Sequence, residues 1–139
     1  MHKMRVYLIG SGRQWQAIEA LRERLDREPG IRCGSFTAWG DMNNAQSLMA
    51  RHVDGWLNIA EIKRADVIVW VKPAGNASHF EAGFATGLGK QVICYFGMMT
   101  EDKALKILNS EEYALSGLAV HSERALLQVL QALREQVGG

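Results

Sequence analysis

Short uninterrupted apolar runs alternate along this chain with segments whose apolar positions recur at helical spacing. Val6-Tyr7-Leu8-Ile9, the Val-Ile-Val-Trp-Val run at 67–71 and Val92-Ile93-Cys94-Tyr95-Phe96 are continuous and β-prone. Ile31 to Phe36 is a weaker strand candidate and Leu118-Ala119-Val120 a short one. Runs apolar on both faces suit strands covered on both sides, as in parallel sheets. Between them Trp15, Ile18, Leu21 and Leu25 mark one face of a helix that Pro29-Gly30 stops. Trp56, Ile59, Ala60 and Ile62 mark a second helix, and residues 78–88 a Gly- and Ala-rich third that ends at Gly89-Lys90. Leu126, Leu130, Leu133 and Val137 mark the last. This order predicts α/β architecture: a flavodoxin-like or Rossmann-like parallel sheet of about five strands flanked by helices, with 1–139 as a single domain.

In open α/β sheets, ligands gather at the carboxyl ends of the strands. Those ends are Gly10-Ser11-Gly12-Arg13, Trp39-Gly40-Asp41, Pro73 to Ser78 and Gly97-Met98-Met99. Asp66 falls at the other end of its strand, about 16 Å from that rim, and reads as a turn or cap residue. Glu81 is the most unusual position. Helical spacing puts it at the head of an apolar stripe with Phe84, Ala85 and Leu88, where a carboxylate is desolvated and needs partners. Two readings stand side by side. Ser78-His79-Phe80-Glu81 fits a capping box, and the same carboxylate suits catalysis.

Gly10-Ser11-Gly12 between a strand and a helix either holds an anion on its backbone N–H groups or simply turns, with Arg13 assisting or solvated. The full dinucleotide fingerprint is missing because position 15 is Trp, which disfavours NAD. Gly83 and Gly87 imply close approach of their helix to the sheet or to another subunit. His79 reads as a local hydrogen-bonding residue before a proton shuttle, and Trp39 and Trp56 as core before base-stacking platforms.

Composition narrows the classes. Sixteen Lys and Arg against fifteen Asp and Glu give a net charge of +1, so bulk charge calls for neither a nucleic-acid polymer nor an acidic membrane. The longest apolar runs are five or six residues, far below the roughly twenty that span a bilayer. The first residues run straight into a strand with no signal-peptide pattern. Cys33 and Cys94 are too few for a disulfide framework, and His2, His52, His79 and His121 lack metal-ligand spacing. The expectation is a cytoplasmic protein without metal or cofactor.

Val6-Tyr7-Leu8-Ile9-Gly10-Ser11, Ala65-Asp66-Val67-Ile68-Val69, Ser78-His79-Phe80-Glu81-Ala82-Gly83-Phe84-Ala85 and Gly89-Lys90-Gln91-Val92-Ile93 together resemble the nucleoside 2-deoxyribosyltransferase superfamily, which includes the 2-deoxynucleoside 5′-monophosphate N-hydrolases. The resemblance spans most of residues 5–96. It implies cleavage or transfer at the N-glycosidic bond of a nucleoside or nucleotide, with Glu81 as nucleophile and Tyr7 hydrogen-bonded to it. It further implies that Gly10, Ser11 and Gly12, with Gly75, Asn76, Ser78 and His79, line the sugar or phosphate end, and that the chain forms a homo-oligomer. Asn58 stands where the family places an aspartate, and the loop 73–78 lacks the transferases' acidic residue. An amide is no proton donor of tunable pKa. Asp54 and His79 are stand-ins without a motif match. The competing readings are a non-catalytic nucleotide or signal-molecule binding module on the same fold, and a Toll/interleukin-receptor-like interaction domain.

Overall fold

The computed structural model describes residues 2–36, 48–110 and 118–138, apart from the side chains of 48–54, 76, 110, 137 and 138. Within these residues five strands, β1 (Met4–Ile9), β2 (Ile31–Ser35), β3 (Val67–Val71), β4 (Gln91–Tyr95) and β5 (Leu118–Val120), pair in parallel in the order β2-β1-β3-β4-β5. Helices α1 (Trp15–Asp26), α2 (Leu48–Arg64), α3 (Asn76–Gly87), α4 (Glu101–Ser110) and α5 (Glu123–Gly138) connect and flank them. This is the α/β sheet that the alternating pattern predicts. The Trp39-Gly40-Asp41 rim lies outside the described residues.

Strand side chains alternate between two apolar layers. Val6, Leu8, Val67, Val69 and Val71 pack with Ile18, Leu21 and Leu25 of α1 and Leu126 and Leu130 of α5. Tyr7, Ile9, Ile68, Trp70 and Cys94 face the other way, onto Ile62 of α2, Ala82 and Ala85 of α3 and Ala104 of α4. Because β3 and the Val6–Ile9 stretch of β1 are covered on both sides, their sequences are apolar without alternation.

Two local devices fix the connections. Asp66 and Arg5 exchange bonds at the amino end of the sheet: Arg5 N–H donates to Asp66 Oδ2 at 2.8 Å, and Asp66 N–H to the Arg5 carbonyl at 2.8 Å. Asp66 is thus a turn residue, as its position predicts. Lys90 closes the carboxyl end of α2, its Nζ donating to the carbonyls of Lys63 and Ala65 at 3.0 and 2.8 Å. That satisfies acceptors the helix leaves over.

The turn after α1 needs glycine. Gly30 has φ +81°, and an added Cβ would fall on the Arg134 guanidinium. Gly30→Ala is expected to cost about 1–2 kcal/mol from the left-handed backbone alone, read as a lower denaturant midpoint at unchanged slope.

Candidate active site

The sheet turns in opposite directions from β1, to β2 on one side and β3 on the other, so the crevice at the carboxyl ends of β1 and β3 is the fold's natural ligand position. The loops that leave these strands meet there. A Cβ on Gly75 would lie 3.7 Å from Ser11 Oγ. Gly10 has no room for a side chain, since its Cβ would sit 2.8 Å from Ile18 Cδ1 and 3.3 Å from the Val71 carbonyl. Ser11 Oγ accepts from Arg13 N–H at 3.3 Å, and its carbonyl accepts from Gln14 N–H at 3.0 Å. Ser11 therefore caps the single 3-10 turn Gly12–Gln14 that leads into α1, and Arg13 is exposed beside it.

Helix α3 starts at Asn76 with Gly75 as its N-cap, two residues before the expected start. Ser78 sits inside the first turn, where its Oγ donates to the Gly75 carbonyl at 2.8 Å and accepts from the Trp70 indole N–H at 3.2 Å. The buried indole N–H needs an acceptor, and Ser78 supplies it. The capping box with Glu81 is therefore not formed. The sheet-facing stripe is Ser78, Ala82 and Ala85, all buried, in place of the expected Glu81-Phe84-Leu88 line. Phe84 stacks on Phe80 at 6.5 Å with ring planes 11° apart, and Leu88 is exposed. Gly83 and Gly87 do not approach the sheet; a Cβ on either would meet nothing within 4 Å. The small residues that bring α3 close are the two alanines.

Glu81 occupies the flank of that stripe. It is half-buried, its Oε2 is enclosed, and no hydrogen bond reaches that oxygen. Burial pushes its carboxyl up to about 7. Five residues into α3, it lies about 8 Å in from the rim. Tyr7, two residues before the end of β1, lies about 7 Å in, at matching depth.

The phenol of Tyr7 does not reach Glu81. It donates to Asn58 Oδ1 at 2.5 Å in a buried bond from β1 to α2. This corrects the pairing that the resemblance implied. Asn58 is 6% exposed, and its amide oxygen, an acceptor that burial makes costly to leave unmatched, accepts the phenol's hydrogen bond. Where an aspartate would put a second negative charge beside the site, the amide leaves the phenol with a neutral partner.

No family model matches the sequence, and no curated protein is similar to it in sequence. Among solved structures, a 2-deoxyribosyltransferase from the psychrotolerant bacterium Bacillus psychrosaccharolyticus is 14% identical with a TM-score of 0.52, over 84% of this chain and 98% of that one. The chain has a deoxyribosyltransferase fold.

Within the deoxyribosyltransferase fold, Lys72, which sequence reasoning passed over, stands with Trp70 and the candidate His79 at the β3 end of the crevice. Lys72 is fully buried, its Nζ 3.4 Å above the Trp70 ring centroid, and the Lys72–Pro73 peptide is cis. His79 packs edge-on against the same indole, 5.2 Å away at 88°. The indole thus carries a cation on its face, an imidazole at its edge and Ser78 at its N–H. The signal was present: Ile68, Trp70 and Lys72 continue a two-residue alternation that points all three at the α3 side. Trp56, read from sequence as core, is 62% exposed. Trp39 and the side chains of Asp54 and Asn76 lie outside the described residues. Among the described residues, no three His, Cys, Asp or Glu side chains stand together as a metal site.

Proposed function

We propose that this chain cleaves or transfers at the N-glycosidic bond of a deoxynucleoside or nucleotide, with Glu81 as the nucleophile. The observation that carries the reading is the enclosed, hydrogen-bond-free Oε2 of Glu81 at the depth of Tyr7 beneath the β1–β3 crevice. The bound base would depart as the carboxylate attacks C1′: the new bond is Oε–C1′, and the C1′–N electron pair leaves with the base, which takes up a proton. Water or an acceptor base then attacks C1′ and releases the carboxylate. Gly10, Ser11 and Gly12, Gly75, Asn76 and His79 line the sugar or phosphate end in this reading, with the buried Ser78 supporting them through its bonds to Gly75 and Trp70, and Asn58 contacts the ligand through the Tyr7 pair.

The enzyme is proposed to be a cytoplasmic homo-oligomer acting on small molecules. Among the described residues no helix is long and apolar enough to cross a membrane. The outer surfaces of α2 and α3 expose Trp56, Phe80 at 68% and Leu88 at 46%, and the bare Gly83 and Gly87 leave room for a second copy. Size-exclusion chromatography with light scattering checks this, with a dimer or larger expected and a monomer contradicting it.

Incubation with deoxynucleosides and their 5′-monophosphates, followed by chromatography of released base, tests the activity. Base released in water alone marks a hydrolase, and a new nucleoside formed with an added base marks a transferase. One observation favours a binding module instead: the partner expected for Glu81 is engaged by Asn58. Ligand-induced stabilisation with no base released from any of these compounds would decide for it.

Asn58→Asp supplies the carboxyl group the site lacks, in a buried place where it can retain a proton and still accept from Tyr7. Turnover of ordinary deoxynucleosides is expected to rise about tenfold or more, with a new falling limb in the pH–rate profile. Tyr7→Phe is expected to lower stability by about 1 kcal/mol, through loss of the buried bond to Asn58.

A further inference from the structure

At the amino end of the sheet, opposite the crevice, a cavity of about 450 Å³ opens between α2 and the strands β1 and β2. Its walls carry Arg5, Arg32 and Arg64, with Glu61 beside them and Tyr7 and Gly34 at its floor. Arg5 and Arg32 are register partners on neighbouring parallel strands. Strands stand about 4.8 Å apart, so the register sets two like charges side by side, which weakens a sheet. Glu61 is committed to Arg64 at 2.9 Å. Among the described residues neither Arg5 nor Arg32 has a carboxylate within ion-pair distance. The α2 terminus does not need Arg64 as its cap, because Lys90 already takes its carbonyls.

Reciprocal bonds with Asp66 pin the Arg5 backbone. Gly34, the register partner of Tyr7, keeps the floor open; a Cβ there would make ordinary contact with Tyr7 Cδ1 at 3.6 Å, so a larger side chain would fill the hollow without disturbing the strand.

We propose that this cavity is a second binding site, for a small molecule carrying two or more phosphate groups, held by Arg5, Arg32 and Arg64. Guanidinium forks match phosphate oxygens two at a time, and a polyphosphate relieves the repulsion of the Arg5–Arg32 pair. The volume lies in the range of small-ligand pockets and is wide enough for a nucleoside diphosphate. Glu81 is not among the residues that line it, and Tyr7 is the residue it shares with the crevice.

Isothermal titration of the full chain with inorganic pyrophosphate, adenosine diphosphate and adenosine, in low and moderate salt, tests it. Pyrophosphate has no glycosidic bond and reports on this cavity without turnover. The expected result is binding of both phosphates but not of adenosine, weakened by salt. Affinity should fall at least tenfold in Arg5→Ala and in Arg32→Ala, and stay unchanged in Glu81→Gln. Gly34→Val, which keeps every charge, should weaken adenosine diphosphate more than pyrophosphate. Melting curves of the free variants establish that they fold. Absence of pyrophosphate binding to the wild-type chain at millimolar concentration, or equal affinity in the folded arginine variants, overturns the proposal.

Discussion

Glu81→Gln is expected to reduce base release by at least a thousandfold, with substrate binding little changed. A carboxamide has the carboxylate's shape but cannot form the bond to C1′, so the loss falls on kcat. The size follows from the work asked of the group. A reaction split in two by a covalent intermediate loses its route entirely when the nucleophile is gone, and only positioning by the rest of the cleft remains. Steady-state kinetics on the wild-type and variant enzymes with the same deoxynucleoside measures this. The free enzyme's acid–base state adds a second readout. With the Glu81 carboxyl pushed up to about 7 by burial, kcat/KM should climb from pH 6 to 8 as the carboxylate forms.

The second large effect is on stability, and its sign is opposite to the usual carboxylate case. The native Glu81 holds its proton up to about pH 7, while in the unfolded chain it lets go near the ordinary value of 4.5. Between these values the native state binds more protons than the unfolded state, so stability falls as pH rises. The favourable contribution is complete below pH 4.5 and gone above 7, a swing of roughly 3 kcal/mol. Glu81→Gln and Glu81→Leu lack the titrating group and should not show the swing. Above pH 7 each is expected to be more stable than the wild type, Glu81→Leu the more so because it leaves no enclosed polar atom. Denaturant titrations at pH 5 and pH 8 check this; parallel losses in wild type and variants would sink it. An inactive variant that is more stable than its parent would show strain held at the site for function.

The architecture was legible because it depends on long-range burial that leaves a local mark. Val67 to Val71 is apolar throughout since α1 and α5 cover one face of β3 and α2, α3 and α4 the other. Asp66 could be assigned from distance along a strand alone. The site was less legible, because its pairings join elements far apart in sequence. Tyr7 and Asn58 are 51 residues apart, and nothing local says that the phenol will choose an amide on α2 over a carboxylate on α3. The capping box failed for a similar reason: a Ser-x-x-Glu pattern is local, but the indole of Trp70, eight residues earlier, claims Ser78 for itself. Of the two uses open to Gly83 and Gly87, approach to the sheet fails, because helical spacing alone does not say which side of α3 meets it. Lys72 falls between the 67–71 run and the loop that begins at Pro73, and so drew no reading, although alternation carries it into the α3 face with Trp70.

The proposed reaction requires a bond between Glu81 and a sugar carbon. Exposing the protein to a deoxynucleoside analogue fluorinated at C2′ slows both steps by destabilising positive charge at C1′, and a good leaving base lets the first step outrun the second. Intact-protein mass spectrometry, then sequencing of the digested peptides, reads the result. One fluorosugar is expected per chain, on the peptide containing Glu81 and on that side chain. Release of base with no adduct on the protein, or an adduct on any other residue, would contradict the proposed reaction.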